Sequence, residues 1–138
     1  MKSFNRPVVK RFAIAKTLGI LFGFLCACLA WKEGFNSAPD FWWSAAMWLI
    51  VFNRLLLGLV VAFVGVFKTH PLFSFPCYPW LRGAVIGAMV SIDLSIATLA
   101  NTSNWNAFWI IIGSGAVFGL IIDVLGTKFG GEGEALLK

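Results

Sequence analysis

The sequence predicts an all-α integral membrane protein: four transmembrane helices in an up-down bundle. Three observations carry this. Apolar residues make up 59% of the 138 residues and charged residues only 12%, against about 45–50% and about 25% in ordinary soluble domains. So few charges cannot coat a water-facing surface, and so much apolar side chain excludes disorder. The apolar residues also fall into four segments, each near the roughly 20 residues needed to cross a hydrocarbon core of about 30 Å. The expected spans are about 12–31, 41–67, 81–100 and 107–125. Short loops join them into one transmembrane domain over residues 1–138, with no stretch left for a separate soluble domain.

The first span follows a basic stretch containing Lys2, Arg6, Lys10 and Arg11, with Lys16 near its start. Lys16 can snorkel to the near interface. A basic stretch before an apolar run is also how a signal peptide reads, and Leu25-Cys26-Ala27-Cys28 resembles a lipoprotein cleavage box. The expectation is nevertheless a retained span. In the first loop, Ser37 precedes Asp40 by three residues, as in a capping box at the start of a helix.

The second span, 41–67, is long: about 40 Å of helix, which calls for tilt or extension beyond the hydrocarbon. Asn53 and Arg54 interrupt its middle and Lys68 ends it. The following loop holds Pro71, Pro76 and Pro79 among aromatics, which excludes a regular helix there. The third span, 81–100, contains Asp93. The fourth, 107–125, contains Asp123, with Gly126 as its expected C-cap and a mobile tail over 127–138.

Orientation follows from the Lys and Arg residues near the span ends. Those of the N-terminal stretch, Lys68 and Arg82 around the second loop, and Lys128 and Lys138 in the tail share one side. The first and third loops contribute Lys32 alone. Both termini are expected in the cytoplasm of a bacterial-type plasma membrane. Trp31, Trp42, Trp43, Trp105 and Trp109 would then form an outer aromatic belt. The basic residues thus read as topology signals, and nucleic acid is not an expected partner.

Charges within a span are the candidates for function, since each costs about 2.5–3.5 kcal/mol on insertion scales. Arg54 lies 14 residues from Lys68, and Asp93 lies 11 residues from Arg82. At 1.5 Å per residue the depths are about 21 and about 17 Å. The two residues are therefore expected to meet as a bidentate pair near the midplane. That pair reads either as a salt bridge fixing helix register or as an ion or proton pathway, or an anion site around Arg54. Asn53 is grouped with it. Asp123 continues the stripe Gly115, Gly119 and is expected to face protein near the inner interface, within reach of Lys16 or Arg82.

GxxxG spacing recurs at Gly19/Gly23, Gly83/Gly87 and Gly115/Gly119, and Gly58 lies one turn after Arg54. Small residues at this spacing let helices approach closely. The stripes serve packing within the bundle, or a face that joins copies or a partner. Cys26 and Cys28, two apart on a helix, cannot pair with each other, and Cys77 with His70 makes no metal site. No catalytic residue, metal or cofactor is expected. The first functional expectation is a small membrane protein acting through helix contacts, as an accessory subunit or homo-oligomer, with the lipid bilayer itself as a partner. The alternative is an ion- or proton-coupled channel or transporter using Arg54, Asp93 and Asp123.

Overall fold

The structure, a computed structural model, describes residues 6–32, 40–67, 69 and 77–133. Five helices account for nearly all of these residues: α1 (Arg6–Lys32), α2 (Ala45–Val64), α3 (Pro79–Val90), α4 (Ile92–Thr102) and α5 (Trp105–Gly130). A single 3-10 turn, Phe41–Trp43, precedes α2. α3 and α4 follow one another as a single span, so four rods are long and apolar enough to cross a membrane. The protein is an all-α, four-span membrane bundle.

Local chemistry explains where each rod starts and stops. The Ser44 hydroxyl accepts the amide of Met47 and caps α2 (3.3 Å). Its helix stops at Gly65, so it spans 20 residues, about 30 Å, and needs none of the excess tilt expected of a 41–67 helix. Pro79 sits in the first turn of α3, where a missing amide proton costs nothing. The Asn104 side chain accepts from Asn106 and Ala107 at 3.0 and 3.1 Å and caps α5. Asn104→Ala should lower stability by about 1 kcal/mol, read as a loss of thermal stability in detergent. Helix α5 passes through Gly126, the expected C-cap, and ends at Gly131, whose φ of 89° suits glycine. Residues 127–130, expected to be mobile, are its last turn, and Gly133 donates to the Gly65 carbonyl at 3.0 Å. Ser37 and the second loop's Pro71 and Pro76 lie outside the described residues.

The third span is broken at Ser91, which the sequence reading did not foresee. In a continuous helix the Leu94 amide would donate to the Val90 carbonyl. Here Leu94 N–H goes to the Asp93 carboxylate (2.7 Å), and the Val90 carbonyl accepts Asn53 Nδ2 instead (2.9 Å). Side chains have replaced a rung of the ladder, a recognised cause of kinks. The interruption is local, and Pro79–Thr102 still forms one span of 24 residues.

Helices pair through glycine. Gly19 and Gly23 on α1 meet the backbone of Arg54, Leu55 and Val51 on α2. Gly58 on α2 meets that of Ala15 and Gly19. Gly83 and Gly87 on α3 interlock with Gly115 and Gly119 on α5. A core of Ala15, Leu57, Val61, Ala62 and Ile122 joins the two pairs, with Phe22 stacked on Phe118 at 4.5 Å. The GxxxG stripes are thus occupied inside the chain. The belt tryptophans share one end: Trp31 closes α1, Trp42 and Trp43 precede α2, and Trp105 and Trp109 open α5.

Candidate functional site

Two buried charge centres occupy different levels of the bundle. The lower one centres on Asp123, which is wholly buried on α5. Arg82 of α3 grips it with two bonds, Nε to Oδ2 at 2.7 Å and Nη2 to Oδ1 at 2.9 Å. Arg11 of α1 donates to Oδ1 as well. Arg11 also caps the end of α2, donating to the Val61 and Ala62 carbonyls (3.3 and 3.2 Å), and reaches Thr127 and the Gly131 carbonyl on the α5 side. The Val61 carbonyl also accepts the Gly65 amide, and the C-terminal end of a helix favours a cation. Arg82 ties in the Phe67 carbonyl (2.6 Å) and approaches Glu132 at 3.5 Å. One carboxylate and two guanidiniums therefore fasten α1, α2, α3 and α5 at the end of the bundle away from the belt tryptophans.

Sequence reasoning named Arg82 as a partner of Asp123 and missed Arg11, which it assigned to the topology signal. Its other candidate, Lys16, is exposed and makes no ion pair among the described residues. The overlooked signal was spacing. Arg11, Ala15, Gly19 and Gly23 stand four apart, so Arg11 continues the small-residue stripe into the helix contact.

The upper centre is Arg54, 1% exposed. The expected Arg54–Asp93 ion pair is not formed. Arg54 donates to the hydroxyls of Ser91 (2.5 Å) and Ser114 (2.9 Å) and, more weakly, to Asn53 Oδ1 (3.4 Å). Its guanidinium lies 5.6 Å from the centroid of Phe118. Its Nε has no hydrogen-bond partner, and no carboxylate pairs with it among the described residues. Asp93 faces outward instead. It holds the Leu94 amide and Asn53 Nδ2 (2.9 Å). The reason is helical register: Gly83, Gly87, Ser91 and Ser95 form the buried stripe, which brings the Ser91 hydroxyl to the guanidinium, and Asp93, two residues from Ser91, falls on the opposite face. Asn53, touching both, is the joint between them.

Asn53→Ala removes the bond to Val90 and both links at once, and should cost about 1–2 kcal/mol. Asp93→Asn keeps a hydrogen-bonding side chain at an exposed position and should cost less than half of that. Unfolding in sodium dodecyl sulfate titrations ranks the two, and a larger loss for Asp93→Asn would restore the direct pair.

Above Arg54 the rods separate. A cleft of about 620 Å³ opens between α1, α2, α4 and α5. Arg54, Ser114 and Phe118 lie at its deep end, and Thr98, Asn101 and Thr102 at its mouth. The walls between are apolar, and among the described residues none lining the cleft is acidic. Cys26 lines it as well, as a free thiol. An apolar cleft with a few convergent polar groups is the usual form of a ligand site. No family model, curated protein or solved structure matches this chain.

Proposed function

We propose that this membrane protein binds an anion at Arg54 and carries it across the bilayer, in the manner of a small transporter. One observation carries the reading: a buried guanidinium without a carboxylate partner, one N–H unused, lines an open cleft. A buried charge is stable when paired, and an intramembrane ionisable group is a functional hypothesis by default. The other charges take supporting parts. Asp123 closes the inner end, and Asp93 with Asn53 holds the break at Ser91. With both termini in the cytoplasm of a bacterial-type plasma membrane, the cleft opens outward and the Asp123 centre is the inner closure. The proposal contains no catalytic step and no cofactor.

The test is flux in proteoliposomes, with chloride, nitrate, acetate and butyrate as probes. Wild-type protein should pass at least one of them, and Arg54→Gln should lower that flux at least tenfold. Equal flux in the two proteins would remove Arg54 from the mechanism.

A second reading, an accessory subunit or homo-oligomer, rests on a different observation. Asp93 is exposed on the outside of a membrane span, beside a shallow groove formed by Leu49, Phe52, Leu56 and Leu59. A carboxylate there is costly against lipid, and a second copy or partner helix would relieve the cost. The mass of the intact complex in mild detergent tests it: a partner released by Asp93→Leu supports this reading, and a monomer throughout counts against it.

A further inference from the structure

Resting on the anion reading, we infer that the ligand is a single-chain amphiphilic acid, a carboxylate with an apolar body of about eight to ten carbons. The cleft has two distinct chemistries, and only a two-part molecule satisfies both. At the deep end, Arg54 offers an unused Nε–H beside the Ser114 hydroxyl. The Ser114 hydroxyl gives its proton to the Ile111 carbonyl and accepts from Arg54, so the Nε–H is the donor left for a carboxylate, which accepts it as a charge-assisted bond. Above it the walls are Leu29, Leu49, Ile50, Leu94, Ile110 and Ile111, which offer a hydrated inorganic anion nothing in place of its water. An alkyl chain loses nothing there.

Length follows from the helices. Leu94 to Thr102 on α4, and Arg54 back to Ala46 on α2, each cover two turns and line the cleft throughout. At 1.5 Å per residue the walls run about 12 Å. An extended alkyl chain advances about 1.3 Å per carbon, given bonds of about 1.5 Å at tetrahedral angles. The walls therefore accommodate about nine carbons before the chain reaches Thr98, Asn101 and Thr102. A volume of about 620 Å³ lies within the usual range for small-molecule sites, about 300–1,000 Å³. The acid goes in head first, because among the described residues the one cation lining the cleft is at the deep end.

The experiment is photolabelling in proteoliposomes with decanoic acid carrying a diazirine on its chain, the adducts being mapped by mass spectrometry. Competitors are compared at equal mole fraction in the bilayer, so that partition into lipid does not count as binding. Adducts should fall on the cleft walls of α1, α2, α4 and α5. Unlabelled decanoate should displace the probe at least tenfold better than methyl decanoate. Arg54→Gln should abolish cleft labelling. Ala97→Phe, which fills the cleft and leaves Arg54 in place, should abolish it too, and gel filtration shows whether each variant is folded. Adducts spread evenly over the lipid-facing surface, or equal displacement by the methyl ester, would overturn the inference. Displacement by nitrate as effective as by decanoate would overturn the amphiphile and leave the anion reading standing. Cleft labelling that survives Arg54→Gln in a folded protein would overturn both.

Discussion

Asp123→Asn is expected to be the most damaging single substitution in this protein. The carboxylate is wholly buried and holds two guanidiniums that are themselves almost wholly buried. Removing one partner of a buried ionic cluster leaves uncompensated charge, which typically costs about 3–5 kcal/mol. Here the loss strands Arg11 and leaves Arg82 with Glu132 alone, at 3.5 Å, among the described residues, and the helices they fasten include all but α4. The amide of asparagine can still accept one bond, but it cannot balance either charge. The expected result is loss of the monodisperse gel-filtration peak in detergent, or a large drop in its thermal stability. A companion variant separates charge balance from simple packing. Replacing the cluster as a whole, Arg11→Met with Arg82→Met and Asp123→Leu, removes the stranded charges along with their partner. It should recover much of the stability lost in Asp123→Asn, because apolar replacement of a buried ionic cluster is often neutral or stabilising. A triple variant less stable than the single one would show that the carbonyls of α2 held by Arg11 matter more than charge balance.

Most of the architecture was legible in the sequence because membrane spans are specified by length and hydropathy, which are local properties. The four apolar segments become four rods, differing at their ends by the few residues that caps decide. Ser44, rather than Ser37, starts α2, since Phe41 is buried and Phe41–Trp43 turn back before the helix begins. The chemistry was less legible, because depth alone does not say which way a side chain points. Arg54 and Asp93 reach comparable depths on neighbouring rods, but the third span buries the stripe Gly83, Gly87, Ser91, Ser95, and Asp93 lies on its far side. The small-residue stripe within residues 81–100 already pointed to Ser91 rather than Asp93 as the inward residue, whereas the bond from Asn53 to the Val90 carbonyl on another rod is a tertiary contact that no pattern there announces. Asp123 was easier, since its stripe with Gly115 and Gly119 already placed it on a contact face. Arg11 carried the same kind of signal, and it was hidden by the number of basic residues around it.

Gly87→Ala should separate α3 from α5, while Gly113→Ala, the same change on α5 itself, should leave the bundle intact or strengthen it. A methyl group at Gly87 would run into the Gly115 carbonyl and stand 3.1 Å from the Gly119 Cα. Both obstacles are backbone, so no rotamer change can relieve them and the two rods must move apart. Overpacking of a tight contact typically costs about 1–3 kcal/mol, and the upper end fits a clash with main chain. A methyl at Gly113 meets nothing within 4 Å, and alanine is favoured over glycine inside a helix by about 0.8–1.0 kcal/mol. Melting temperatures in detergent should therefore move in opposite directions. The Gly87 variant also reaches the upper site. Ser91 follows Gly87 by one turn, Ser114 adjoins Gly115, and both hydroxyls hold Arg54. Rods forced apart at Gly87 carry those hydroxyls away from the guanidinium, so this variant should lose labelling by the diazirine acid although it alters no residue lining the cleft. Gly113→Ala, which leaves the α3–α5 contact in register, should keep that labelling.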